Sequence, residues 1–394
     1  SQEANVKSAY GNFLPNLNVS GSWSWQRISD DGSTQINFFG EQQTTPATQV
    51  DSRGYSLSAG GNITIFDGLA NFANLSQKKN NYEAAKLDFE KLKQDVIYQT
   101  ASLYFAVISY DLLLQYQKEN YNYNVNLLNK INEMKELRMV PISDVYSQEV
   151  QTANSESALL QAQNNFEKAK IALLNFLSLN LSGEYNFISP EEDEIFSHKI
   201  NESFDDLVAT ALSNRKDYLS QELKLKSSHN QLTIARADYL PNISGSYRLS
   251  TSSASPGDLF NRRVYGLGLS LNLPVFSRWA TDYSVQLAEV QIKNTNEDLL
   301  NLERTIKTEV KNVMLDLQTA QKQVEVSQKA IQSAQESWNI KKESYELGKL
   351  TFIDLQLSYR DLLQSQNNNV QAIYSYYTKK YEMMNTLGVL GSIQ

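Results

Sequence analysis

Few side chains in this 394-residue chain could do chemistry, and the most regularly placed are two aspartates, Asp144 and Asp354. They lie 210 positions apart, and each follows a short turn and begins a helical pattern. A carboxylate in the first turn of a helix accepts hydrogen bonds from free backbone N–H groups and interacts favourably with the helix dipole. The spacing therefore predicts two equivalent helix starts with aspartate caps.

Residues for enzymatic chemistry are missing from the sequence. The chain has no cysteine and only two histidines, His198 and His229, which we expect to be ordinary surface or packing residues. We find no Gly-rich phosphate loop, no nucleophile motif and no Glu/His pair at metal-ligand spacing. We therefore expect no enzyme activity, no cofactor and no metal site, and the net charge of −8 argues against nucleic acid as a partner.

Composition argues against a large dry core. The chain is 41% hydrophobic and 20% charged, with a mean hydropathy of −0.46. It has no continuous apolar run near the roughly 18 residues that a membrane-spanning helix needs. We therefore expect no transmembrane helix and see no signal peptide.

The chain contains an internal duplication. Residues 55–178 align with residues 265–388 without a gap, so that Tyr55 pairs with Tyr265 and Asn62 with Asn272. An ungapped match of this length is typical of long helices, in which every residue keeps its place on a face. We predict two repeats, 1–180 and 204–388, joined by a polar equatorial connection, 181–203, and followed by a tail, 389–394.

Four segments alternate between apolar and small polar residues, and we predict them as strands over 17–26, 55–66, 242–250 and 265–275. Each is about 10 residues, the length that a tilted strand needs to cross a bilayer. Alternation alone also fits a soluble sandwich, but four segments of bilayer length favour a membrane barrel. Aromatic residues at the segment ends could form interfacial girdles: Trp23, Trp25, Tyr55, Phe66, Tyr247, Tyr265 and Phe276.

Four strands cannot close a barrel, because roughly eight is the minimum and an open edge in lipid leaves backbone groups unpaired. Copies of the chain must therefore share one barrel. A trimer supplies twelve strands and a dimer eight.

Two proline-free stretches, 68–139 and 278–349, have the composition and three-four apolar spacing of coiled-coil helices. Each would span about 110 Å at 1.5 Å per residue. After a short turn, we predict return helices over 144–180 and 354–387. A further helix, about 204–238, leads to the third strand.

The return helix 354–387 also needs a partner that leads into the first strand. Residues 1–12 supply only the end of such a helix. We expect about 25 further residues before Ser1 in the native polypeptide, together with its targeting signal.

This order of elements resembles the TolC-like outer-membrane efflux protein family, the outer membrane factors, over essentially the whole chain. The resemblance is carried by these segments: Leu14-Pro15-Asn16, Leu240-Pro241-Asn242, Tyr345-Glu346-Leu347-Gly348, Ile353-Asp354-Leu355 and Asn385-Thr386-Leu387-Gly388. It implies an α+β membrane protein with four strands per protomer. The homotrimer would form a 12-stranded β-barrel in outer-membrane lipid, continued by a long periplasmic α-helical coiled-coil barrel.

The resemblance also implies a function. The trimer would be the passive exit duct of a tripartite efflux pump or type I secretion system. A periplasmic adaptor (membrane fusion protein) would engage the helix tips and connect the duct to an inner-membrane transporter. The alternative from the residues is a structural coiled-coil filament or surface adhesin subunit, which has no need of four bilayer-length strands.

By the same resemblance, Asp354, Asp144 and Tyr345 belong to the periplasmic aperture and help to close it. Two family positions differ, with Leu357 in place of a second aperture acid and Leu350 in place of a latch arginine. A single ring of three carboxylates would attract cations, whereas a plain helix cap is the other reading of Asp354. The implied adaptor contacts are Leu137, Arg138, Met139, Val140, Pro141, Leu347, Gly348, Lys349, Leu350 and Thr351.

Overall fold

The computed structural model describes residues 2–36, 38–189 and 203–391. Most of the predicted equatorial connection, including His198, and residues 392–394 of the predicted tail lie outside the described residues. The chain forms two compact units, the first from residues 1–86 and 220–299 and the second from residues 87–219 and 300–394. Each unit therefore draws on both sequence repeats.

Helices make up most of the described chain, and the longest come in equal pairs. Two have 67 residues, α2 (Ala70–Glu136) and α6 (Ala280–Glu346), and two have 35, α3 (Ile142–Phe176) and α7 (Phe352–Thr386). The others are shorter: α1 (Gln2–Gly11), α4 (Phe204–Asn214) and α5 (Lys216–Ala237).

The long helices begin two residues later than predicted, at 70 and 280 rather than 68 and 278. The reason is a turn that both repeats share. Gly68 and Leu69 have positive φ angles of 67° and 73°, and Arg278 and Trp279 have 53° and 59°. Two successive left-handed residues cannot continue a right-handed helix.

The first unit contains a four-stranded antiparallel sheet in the order β1-β4-β5-β6. Its strands are β1 (Asn18–Asp30), β4 (Thr48–Asp67), β5 (Asn242–Ser253) and β6 (Val264–Asn272). The short strands β2 (Ser33–Ile36) and β3 (Gln42–Thr45) form a separate ladder that the sequence did not predict. β6 ends earlier than the predicted residue 275, because Pro274 has no N–H to donate to the ladder.

The first hairpin extends well beyond its predicted ends at 26 and 55. Arg27 and Asp51 face each other across it, and Arg27 Nε and Nη2 donate to the two Asp51 carboxylate oxygens at 2.7 and 2.8 Å. The register places this pair and Arg53 on the face that carries Val19 and Trp23. These charged residues lie beyond the predicted strands 17–26 and 55–66, in the part of the hairpin that the structure adds.

The chain enters the sheet through the Leu-Pro-Asn segment. Asn16 exchanges backbone and side-chain hydrogen bonds with Asn62 of β4, and Tyr247 Oη donates to the Asn16 carbonyl oxygen at 2.5 Å. A side chain at Gly61 would collide with the Asn16 backbone. Asn16 therefore fixes the start of β1 against β4 at Asn62.

The main core lies in the second unit, where α2, α4, α6 and α7 bury an aromatic-rich cluster. Phe105 stacks on Tyr377 with ring centroids 5.2 Å apart and also contacts Tyr374. Fully buried Val310 and Val324 of α6 belong to the same cluster. This core is larger than the composition suggested, because the four helices direct their few apolar faces to one place.

Helix α2 also contains an 18-residue window with a mean hydropathy of 1.2, enough by length and composition to cross a membrane. This differs from the expectation that no helix could cross a membrane. The same helix supplies Phe105, Val107 and Ile108 to the interior of the protein. Only 17% of that window is buried, so packing within one chain covers a small part of its apolar surface.

A buried arginine breaks the helix predicted over 204–238 into α4 and α5. Arg215 has an extended backbone, and its side chain binds Asp217 and Glu309 of α6. Burial acts to lower the pKa of Arg215, but its hydrogen bonds to the two carboxylates outweigh burial and raise it. Gly388, with φ of +71°, packs directly on the Arg215 backbone, where a Cβ would lie 2.8 Å from the nitrogen.

Candidate functional site at the helix tips

Two equivalent turns reverse the long helices of the second unit. In the first, Arg138 N donates to Lys135 O and Met139 N to Met134 O; in the second, Gly348 N donates to Tyr345 O and Lys349 N to Ser344 O. These are Schellman caps, which require a left-handed residue after the helix. Arg138 (φ 59°) and Gly348 (φ 70°) occupy that position, so the helices end at Glu136 and Glu346 rather than at 139 and 349.

Asp354 lies in the first turn of α7, three residues after the N-cap Thr351. Thr351 Oγ1 accepts from the Asp354 backbone N–H at 3.2 Å and donates to Asp354 Oδ2 at 2.5 Å. The half-buried carboxylate is therefore oriented by its own turn. This geometry is consistent with a role for Asp354 at the helix start. It also keeps the negative charge of Asp354 in a fixed place.

Asp144 occupies the equivalent place in α3 but has different partners. The residue before that helix is Pro141, which has no side-chain hydrogen bond to the helix start. Among the described residues, Asp144 accepts a 3.3 Å bond from the Ser143 hydroxyl. Both aspartates lie in the first turn of their helices, as predicted, but neither is the cap itself: the Thr351 hydroxyl caps α7, and Pro141 before α3 makes no side-chain cap bond.

Tyr345 lies close to Asp144, on a small core formed by the two turns. Leu127, Ile131, Val145 and Phe352 are the buried members of this core. Burial, and next the negative charge of Asp144, raise the pKa of Tyr345, so the phenol stays neutral at physiological pH. The structure thus brings together Asp144 and Tyr345, two of the three residues predicted for the aperture.

Most of the residues predicted to contact the adaptor are exposed. Leu137, Met139 and Leu347 are 72%, 66% and 62% accessible, which is unusual for three neighbouring apolar side chains. Val140 and Leu350 are half-buried, and Val140 packs on the small core. The remaining tip residues are exposed: Arg138, Pro141, Gly348, Lys349 and Thr351.

A buried amide network, which sequence analysis missed, joins three helices behind the tips. Gln148 of α3 is fully buried and donates from Nε2 to Asn124 O and Oδ1 of α2, both at 3.0 Å. Its Oε1 accepts from Gln356 Nε2 of α7 at 3.0 Å. Asn124 in turn donates to Asn120 O and Oδ1, at 2.8 and 2.9 Å.

The sequence did contain a signal for this network. Asn120 and Asn124, and likewise Gln148 and Thr152, lie four residues apart, so each pair shares one helix face. Polar residues at such seam positions fix the register of helices at a cost in stability. Buried amides therefore define how α7 sits on the α2–α3 pair.

An aromatic layer lies beside the amides. The rings of Tyr123 and Tyr359 have centroids 4.0 Å apart, and Trp338 lies 5.6 Å from Tyr359. Burial raises the pKa of Tyr123 to about 12. These side chains act as neutral packing groups that connect α2, α6 and α7.

The described residues offer no group of three or more His, Cys, Asp or Glu side chains that could hold a metal ion. His229 is exposed on α5. The site therefore consists of turns, one oriented carboxylate and buried polar contacts.

Comparison with known proteins gives one family and one fold. A family model described as outer membrane efflux protein matches residues 1–179 and 207–389. The pyoverdine export outer membrane protein OpmQ of Pseudomonas aeruginosa PAO1 is 22% identical over 279 residues, 70% of this chain and 56% of its own length. The chain therefore spans little more than half of that curated relative.

Solved structures agree over nearly the whole chain. The outer membrane protein VceC of Vibrio cholerae matches with a TM-score of 0.83 and 15% identity, over 98% of this chain and 90% of its own. The CmeC outer membrane channel of Campylobacter jejuni matches with a TM-score of 0.82 and 19% identity, over 100% and 82%. At these identities the likeness shows the fold.

The two Schellman turns offer a matched stability test. Replacing Arg138, a left-handed non-glycine residue, with glycine removes strain and should stabilise its turn by about 1 kcal/mol. Gly348→Ala should destabilise the other turn by about the same amount, purely through backbone strain, because nothing lies within 4 Å of the added Cβ. Hydrogen exchange of the Met139 and Lys349 amides measures both effects, as changes of about fivefold in protection. Equal protection in variants and parent would refute the account.

The amide network predicts that Gln148→Leu destabilises the tip by about 1–3 kcal/mol, because Asn124 Oδ1 loses its donor in a buried place. Gln151→Leu is the control, since Gln151 is exposed on the same helix. Protease sensitivity and hydrogen exchange of α3 and α7 report the change. Two variants of equal stability would mean that the network contributes nothing.

Proposed function

Because this chain belongs to the outer membrane efflux protein family, we propose that it is the outer-membrane exit duct of a tripartite efflux pump or type I secretion system. The resemblance found in the sequence is confirmed. The family and fold are those of channels rather than enzymes, and the protein lies in the bacterial outer membrane with its helical tunnel in the periplasm. The duct works passively, with energy supplied by the inner-membrane transporter.

The observation that carries this function is the exposed apolar face of the sheet. Leu267, Leu269 and Tyr265 of β6 are 91%, 74% and 73% accessible, and Val19 and Trp23 of β1 are also exposed on that face. A single chain in water would not keep so large an apolar patch. Outer-membrane lipid is its natural cover, and the hydroxyl-bearing opposite face then lines the lumen.

The open edges of the sheet support a homotrimer. β1 and β6 are the outer strands, and each has unpaired backbone groups on one side. Three copies joined β6 to β1 give a closed 12-stranded barrel, in which no edge remains in lipid. The duplicated helices, in repeats 1–180 and 204–388 with the connection 181–203, continue it as a coiled-coil barrel.

The helix tips support the proposed contact with a periplasmic adaptor. Leu137, Met139 and Leu347 offer apolar side chains, and Arg138 and Lys349 surround them with positive charge. Apolar anchors within a polar rim are the usual composition of a protein interface. Through the adaptor the duct is connected to an inner-membrane transporter.

Asp354, Asp144 and Tyr345 are the proposed gate. The Thr351 hydroxyl donates to the Asp354 carboxylate and orients it, and Asp144 lies near neutral Tyr345. Three copies of Asp354 around a narrow opening would attract cations. A filament or adhesin subunit finds no support, because the matched solved structures are outer-membrane proteins and channels.

Planar bilayers test the duct and its gate together. The purified protein should have the mass of a trimer and give small cation-selective openings. Asp354→Asn keeps the cap but removes the charge, so it should raise conductance or weaken block by divalent cations. Asp361→Asn, at an exposed carboxylate of the same helix, is the control.

Two results would contradict these proposals. A bilayer-inert monomer would refute the duct. Channels with the same conductance and cation block in parent and Asp354→Asn would limit Asp354 to its role as a helix cap.

The 394-residue sequence has no cysteine, so single introduced cysteines can test adaptor contact by crosslinking. Single cysteines at Met139 and Leu347 should crosslink to a periplasmic adaptor in cells, with the adduct identified by mass spectrometry. Val326, exposed on α6 away from the turns, is the control position. Adaptor crosslinks at 326 alone would rule out tip contact.

A further inference from the structure

Arg248 occupies an open place in the middle of the sheet. It lies on β5, and its direct neighbours are Gly60 on β4 and Gly266 on β6. The next position in the same row, beyond Gly60, is Asn18 of β1. Because both neighbours lack side chains, nothing beside the exposed arginine covers it.

The face around Arg248 is uncharged and mostly polar, with Val264 of β6 as the apolar member of the next row. Ser58 and Ser250 form the next row, and hydroxyl pairs join Ser20 to Ser58 at 2.8 Å and Ser22 to Ser56 at 2.7 Å. Between the levels of Ser244 and Ser252, the described ladder places no other charged residue on this face. One positive charge therefore stands alone among hydroxyl groups.

Some other arginines of the described chain have acidic partners, whereas Arg53, Arg138, Arg262, Arg263, Arg278 and Arg304, like Arg248, have no ion pair in the described residues. Arg27 binds Asp51, Arg215 binds Asp217 and Glu309, and Arg236 binds Glu289. In the residues that the structure describes, the Arg248 guanidinium has no ion pair. Its hydrogen-bonding capacity is therefore available to a ligand.

We propose that Arg248 is an anion-binding residue of the barrel lumen, where three copies form a ring that holds carboxylate, sulfonate or phosphate groups of passing solutes. This rests on the proposed trimeric duct. A guanidinium binds such groups through two parallel hydrogen bonds, and arginine rings select anions in other pores. Serine hydroxyls on the adjoining rows can donate further hydrogen bonds to the same anion.

The two flanking glycines differ in a way that makes the proposal testable. A Cβ on Gly60 would lie 2.5 Å from the Tyr247 carbonyl oxygen, so β4 has no room for a side chain at this position. A Cβ on Gly266 would meet only Arg248 O, at 3.9 Å. An aspartate at 266 therefore fits and places a carboxylate directly opposite the guanidinium.

The ring of arginines can be tested by measuring how citrate blocks single channels. The salt should be about 0.1 M, because charges within roughly 10 Å still interact at that concentration. Arg248→Gln should raise the citrate concentration that blocks half of the current by about tenfold. It should also shift the reversal potential in a KCl gradient toward the equilibrium potential of K⁺. Gly266→Asp should do the same by neutralising the arginine. Gly266→Asn, of the same shape without the charge, should behave like the parent, and Arg248→Lys should keep the parent reversal potential.

Conducting Arg248→Gln trimers with unchanged citrate block and reversal potential would overturn the ring while leaving the duct intact. A Gly266→Asn variant that changes as much as Gly266→Asp would also overturn it, since shape rather than charge would then be responsible. A parent protein without channel activity would refute the duct, and the ring with it.

Discussion

The structure depends on a sheet that has an apolar face and unpaired backbone N–H and C=O groups along its two free edges. Backbone groups at the free edges of β1 and β6 cannot be left unpaired in lipid, where each costs several kcal/mol. The same strands expose Leu267 and Leu269, which water does not accommodate as a patch. In the proposed trimer, a shared barrel would pair the free edges and cover the apolar face with lipid, and the helices would assemble with the same threefold symmetry.

The constraint on the second unit is different, because its helices must pack together with rather few apolar residues. They do so with an aromatic cluster around Phe105 and, near the tips, with a polar layer around Gln148. Buried amides contribute little net stability, but they penalise every register in which they lose their partners. A gate built on such a layer can have discrete closed and open states rather than a continuum.

The charges of the proposed lumen are sparse and individually placed. Asp354 is held by its capping threonine, and Arg248 lies between two glycines. An otherwise neutral lining of serine and glycine presents few obstacles to a varied cargo. Under this proposal, selectivity comes from isolated rings of charge, because a single charge in a neutral lining acts on every ion that passes.

The sequence by itself determined the features that depend on local periodicity: the duplication, the alternating strands, the long helices and the two tip turns. Period and turn chemistry act within a few residues, so they can be read along the chain. The extended part of the first hairpin contains the Arg27–Asp51 pair, and Arg215, at the break between α4 and α5, binds Glu309. Only the tertiary structure decided these, as it decided the contact of Gln148 with Gln356. In each case the partner is far away in sequence, and its contribution exists only once the chain has folded.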